Sequence, residues 1–123
     1  MSGAQHWSHL VTETTLSFSP ECTPGVCPLS IAGGSEYGLF CLVGDQIKHN
    51  KLIYHLGPKL NTDDIILEVQ GQKVAGYTSN DLKDWFITAA QNSNPVLIKT
   101  AKSGSLFAQY LFITGYHTQY YVT

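Results

Sequence analysis

The sequence predicts an α+β domain: a small, partly open barrel or sandwich of five to six strands with one long and one short helix. Three observations carry that expectation. Asp63-Asp64, then Ile65-Ile66-Leu67-Glu68-Val69, then Gln70-Gly71 read as an acidic turn, a buried strand and a tight reversal. Thr78 with Asp81 three residues later forms a capping-box-like pair, and Leu82, Trp85, Phe86 and Ala89 recur behind it at helical spacing. The first half of the chain is glycine-rich and breaks into short apolar runs.

The elements follow in order. His9 to Phe18 is rich in threonine and alternates, with Leu10, Thr12, Thr14, Leu16 and Phe18 on one side, as a first strand would. Two prolines and a glycine make Ser19 to Gly25 a loop. Leu29 to Ala32 is a short strand ended by Gly33-Gly34, and Leu39 to Val43 is the next, after the turn Ser35 to Gly38. The stretch from Asp45 to Tyr54 is polar and reads as an exposed connection. Tyr54-His55-Leu56-Gly57-Pro58 reads as a single helical turn, the short helix of the prediction. After the strand Ile65–Val69 and its reversal comes a short strand, Lys73 to Ala75. The long helix opens at Thr78 and stops before Pro95, which disfavours helix at Asn94. Pro95 to Thr100 closes the fold as a last strand.

Composition narrows the function classes. The length of 123 residues is that of one domain, large enough to bury a core without disulfides or a structural metal. An apolar fraction of 43% against 13% charged residues is that of a globular protein rather than a disordered one. No apolar run approaches the ~20 residues of a membrane span, and no signal-peptide-like apolar region opens the sequence, so direct membrane insertion is not expected. The net charge is −2, and the seven cations are all lysines, scattered along the chain. A phosphate-binding surface needs clustered cations, so nucleic acid is not the expected partner. Without arginine there is no bidentate guanidinium, and an acidic ligand must be held by backbone amides or lysine. Cys22, Cys27 and Cys41 are odd in number and lack paired spacing, which favours reduced thiols and a cytoplasmic setting.

Several motifs, taken together, are more specific than any one. His6-Trp7 precedes the first strand. Gly33-Gly34-Ser35-Glu36-Tyr37-Gly38-Leu39-Phe40 carries the pattern GG-x-E-x-G-x-F, and Leu67-Glu68-Val69 and Val74-Ala75-Gly76-Tyr77-Thr78 follow. In this combination, residues 9–102 resemble a PDZ domain, and most closely the first, amino-terminal PDZ domain of the MAGI scaffold family (membrane-associated guanylate kinases, inverted). The resemblance implies a PDZ-like fold preceded by a lead-in over 1–8 and followed by an aromatic extension over 103–123. It also implies a scaffold module that binds partner segments by β-strand addition between the second strand and the long helix. The implied partners are carboxyl-terminal peptides of membrane or junctional proteins. The implied location is cytoplasmic and peripheral, at membranes or cell junctions.

The resemblance places the peptide along Val26, Cys27, Pro28, Leu29, Ser30, Ile31 and Ala32 on one side, and Ser79, Leu82, Lys83 and Phe86 on the other. Cys27, Leu29, Ile31 and Phe86 are expected to line a pocket for the ligand's last side chain. Ser79 holds the position that selects the third-from-last ligand residue, where such domains often carry histidine. Lys83, one turn on, suits an acidic ligand residue. The family's carboxylate-binding loop is roughly Gly-Leu-Gly-Phe, and Val26-Cys27-Pro28-Leu29 stands in its place. Pro28 has no N–H to donate, and Val26 lacks glycine's freedom to curl round an anion. The expected groove is therefore weak for free carboxyl termini, or takes internal segments. A plainer reading stands beside this one. Leu29, Ile31 and Phe86 would be core in almost any fold of this pattern, Lys83 a solvated helix residue, and Ser79 a neighbour of the cap.

Other chemistry is weaker. His6 and His9 with Cys22 and Cys27 match no familiar zinc spacing, so no metal is expected. Nothing in the sequence sets His49, His55 or His117 against Cys27 to activate it, no phosphate-binding glycine motif occurs, and no cofactor or catalytic residue is expected. Rival readings are a degenerate PDZ fold serving as a structural or dimerisation unit, and an accessory domain of a larger enzyme. The extension over 103–123 holds four of the seven tyrosines, two of the five phenylalanines and no charged residue. It reads as the lead-in to a following domain, an extra packed element, or a linked peptide that enters a groove. Its composition invites self-association.

Overall fold

The computed structural model describes residues 11–45 and 51–102. The lead-in, the start of the first strand at His9 and Leu10, residues 46–50 of the connection and the extension over 103–123 lie outside the described residues. The fold is α+β: among the described residues, an open antiparallel sheet with one α-helix packed on it. The strands are β1 (Thr12–Phe18), β2 (Ile31–Gly33), β3 (Cys41–Val43), β4 (Leu52–Leu56), β5 (Ile65–Val69), β6 (Gln72–Lys73) and β7 (Val96–Ala101), and the helix α1 is Ser79–Ala89. The strand order is β2-β3-β5-β7-β1-β4, with β6 hairpinned onto β5, so β2 and β4 are the two ends.

Local chemistry explains most of the boundaries. Thr14, Leu16 and Phe18 alternate into the core from β1, which lies between β7 and β4. The β5–β6 reversal turns through Gln70 and Gly71, both left-handed at φ 51° and 78°, the backbone that suits a two-residue hairpin. Strand β5 buries side chains on both faces. A register shift between Ile66 and Glu68 lets Ile65 and Leu67 enter one apolar cluster while Ile66 and Val69 enter the other. At α1, the Thr78 hydroxyl accepts the Asp81 N–H at 3.0 Å and the Asp81 carboxylate accepts the Thr78 N–H, completing the capping box. Leu82 and Phe86 are fully buried beneath the helix. The Trp85 indole N–H donates to the Val69 carbonyl at 2.8 Å, fastening α1 to the end of β5.

Two expectations are corrected. Among the described residues the strands number seven, where five or six were expected. The residues read as a short helix, Tyr54 to Leu56, belong instead to β4, which pairs antiparallel with β1. The pairing overrides the local signal because it buries Leu52 and half-buries Tyr54 against the main core. Gly57, at φ 83°, ends the strand. Short 3-10 turns occur instead at Ser35–Tyr37 and Gln91–Ser93.

Candidate functional site

Strand β2 is an edge strand, and its ladder fixes which groups face outward. Ser30 accepts the Gly44 N–H at 2.8 Å, and the Gly34 N–H donates to Phe40 at 3.2 Å, so these residues face β3. By antiparallel alternation, Ile31 and Gly33 turn their N–H and C=O groups to the outer edge. Helix α1 packs against the same strand. Among the described residues no strand pairs with this row, and a helix lies beside it.

A clip holds helix and strand together. The Ser35 N–H donates to the Tyr77 carbonyl at 2.9 Å. The Glu36 carboxylate accepts the Ser79 hydroxyl at 2.6 Å and the Ser79 N–H at 3.0 Å, capping the positive end of α1. These bonds, the Ser79 hydroxyl first, hold the Glu36 carboxyl below the ordinary glutamate range. Gly34 makes the approach feasible. It sits at φ 112°, and a Cβ there would overlap the Glu36 carboxylate and lie 2.8 Å from the Ser79 nitrogen. The Gly-Gly-Ser-Glu segment thus sets the spacing between β2 and α1. Sequence reading missed Glu36 as a site residue, although its place in the GG-x-E pattern was the available signal. The Ser79 hydroxyl, expected to meet a ligand, is engaged by Glu36.

The remaining expected site residues divide by depth. Leu29, Leu82 and Phe86 are buried with Leu16 and Phe18 in the main core, so they form the floor. The Phe18 and Phe86 rings stand 6.4 Å apart. Cys27 and Ile31 are half-buried against that floor. Pro28, Ala32 and Lys83 are also half-buried, Ser30 is exposed, and Val26 is 58% exposed. Lys83 lies within electrostatic reach of both Cys27 and Glu36. Burial pushes the Cys27 thiol up to about 11 and the Cys41 thiol up to about 12, so both are protonated at neutral pH. His55 lies on β4 with its Nε2 2.8 Å from the Ser17 hydroxyl, at the far end of the sheet. Among the described residues no cluster of three or more His, Cys, Asp or Glu side chains is placed to hold a metal. Among them also, no helix is long and apolar enough to cross a membrane.

Beyond the start of β2 lies a surface cleft of ≈ 670 Å³, between the β1–β2 loop and the C-terminal end of α1. Val26 belongs to its wall and to the loop that leads into β2. Phe18, Ile87 and Ala90 supply apolar surface, and no charged side chain lines it. No protein-family model matches the chain.

Proposed function

We propose that this chain is a peptide-binding module that takes a partner segment as an added strand along the outer edge of β2, against α1. The observation that carries the reading is the outward-facing backbone of Ile31 and Gly33, held at fixed spacing from the helix by the Glu36–Ser79 clip. Main-chain hydrogen bonds along such an edge supply generic affinity, and flanking side chains supply selectivity. Lys83 is the residue that favours an acidic ligand side chain. The fold in this proposal is PDZ-like, nearest to the MAGI group, and the module acts as a cytoplasmic scaffold beside membranes or cell junctions. No catalysis is part of the proposal.

A second reading has its own observation. Strand β4 ends the sheet on the other side with Ile53 and Leu56 exposed, and pairing of two copies there would make the chain a dimerisation unit.

Amide hydrogen exchange on the full chain separates the two. Peptides selected from a random library are expected to slow exchange at Ile31 and Gly33. Protection confined to β4, growing with protein concentration and indifferent to peptide, would overturn the groove reading in favour of self-association.

A further inference from the structure

We infer that the groove takes internal segments of its partners, with the ligand chain running on past the start of β2 into the uncharged cleft beside Val26. The inference rests on the strand-addition reading and names its ligand class: an uninterrupted polypeptide whose residues beyond the added strand are uncharged.

Three features support it. A strand that ended as a free carboxylate at the start of β2 would need amide donors or a cation there, since an unpaired charge against apolar surface is costly. The loop has lost two of its donors, and the amides of Cys27 and Leu29 are its remaining central ones. Pro28 has no N–H, and the Val26 N–H is already donated to the Thr23 carbonyl at 3.2 Å. The cleft wall adds no cation.

The cleft itself is the second feature. Its ≈ 670 Å³ falls in the ~300–1,000 Å³ range usual for ligand sites. Val26 belongs to both the cleft wall and the loop that leads into β2, and the proposed ligand chain would run past it into the cleft. Its lining of Phe18 and Ile87 with the amide and hydroxyl groups of Gln91, Asn92 and Ser93 suits uncharged side chains and peptide backbone.

The third feature is the backbone of the rim. Asn92 and Ser93 are consecutive left-handed residues, at φ 58° and 59°. A consecutive left-handed pair outside glycine is uncommon. Here it carries the chain over the end of α1 and sets the far wall of the cleft.

The test uses the full chain and two random-peptide libraries. One displays twelve-residue segments between flanking domains, the other displays them at free carboxyl termini. The best binder is then synthesised as a nested set shortened from its carboxyl-terminal end, each member as free acid and as amide. Fluorescence polarisation is expected to show at least a ten-fold gain for members long enough to enter the cleft, and no more than a two-fold difference between acid and amide. Thr23→Trp, at an exposed position of the cleft wall, should remove the gain from length and leave the short members unchanged. Val26→Lys should make the short free acid bind better than its amide, a gain that misfolding does not produce. A wild-type preference of ten-fold or more for free acids, or no gain from length, overturns the inference while leaving strand addition intact. Failure of both libraries to yield any binder overturns both.

Discussion

Strands β2 and β4 end the same sheet, and each leaves alternate backbone groups facing outward, yet their surroundings differ. Strand β2 has three residues, a helix beside it, and a clip of backbone and carboxylate bonds that holds the helix at one distance. Strand β4 has five residues, no strand pairs with its outer side among the described residues, and Leu56 is 72% exposed. An exposed edge is generic and offers pairing to any strand. An edge with a helix fixed alongside offers pairing plus side-chain contacts, which is what selectivity requires. The longer strand is therefore the less specific of the two.

The largest expected effect comes from removing the floor shared by helix and edge. Phe86 is fully buried and meets Phe18 across the core. Phe86→Ala should cost about 3–5 kcal/mol, read as a lower midpoint in urea unfolding. Peptide affinity should fall with it, because α1 would lose its seat beside β2. A variant that loses stability but keeps full affinity would mean that the helix is no part of the groove.

Two glycine substitutions of similar strain set the edges against each other. Gly57 follows β4 at φ 83°, and a Cβ there would overlap the Glu13 carbonyl and lie 3.1 Å from the Thr14 Cα. Gly34 follows β2, and a Cβ there would strike the Glu36 carboxylate. Each alanine variant should lose about 1–3 kcal/mol from backbone strain alone. Their effects on binding should part company. Gly34→Ala displaces the clip and should weaken peptide at least ten-fold, whereas Gly57→Ala should leave the affinity of the folded fraction within two-fold. Equal losses in binding would dissolve the distinction between the two edges.

The same contrast shows what was legible in the sequence. The helix and β5 were legible because their signals are local: a capping box, helical spacing of Leu82 and Phe86, and an apolar run closed by Gln70-Gly71. Strand β4 was not, because Tyr54-His55-Leu56 becomes a strand only through pairing with β1, a contact some forty residues away along the chain. Of the site, the composition of the loop was readable, with Pro28 removing one backbone donor. The burial of Leu29 and Phe86 was legible too, since both would be core in almost any fold of this pattern. Glu36 stood in a recognised pattern, but its role depends on a bond to Ser79, 43 positions on. The cleft was invisible, since the β1–β2 loop and the end of α1 meet only in the folded chain.

The smallest effect, and the most specific to the β2 edge, is the response of the clip to acid. The Glu36 carboxyl lies below its ordinary range in the folded chain because it accepts the Ser79 hydroxyl and N–H. A group depressed in this way adds stability that is fully present above its unfolded value, about 4.3 for glutamate. That contribution is lost as pH falls through the lower folded value. Peptide affinity should therefore be flat from pH 7 to pH 5 and decline below about pH 4 as the carboxylate protonates and releases the start of α1. Glu36→Gln still offers an oxygen to Ser79 but has no proton to gain. It should bind peptide somewhat more weakly at pH 7 and lose most of the wild-type decline toward pH 3. An unchanged decline in that variant would assign the acid response to other carboxylates. The Glu36–Ser79 bond would then be a bystander to groove width, and the helix would be held beside β2 by its buried face alone.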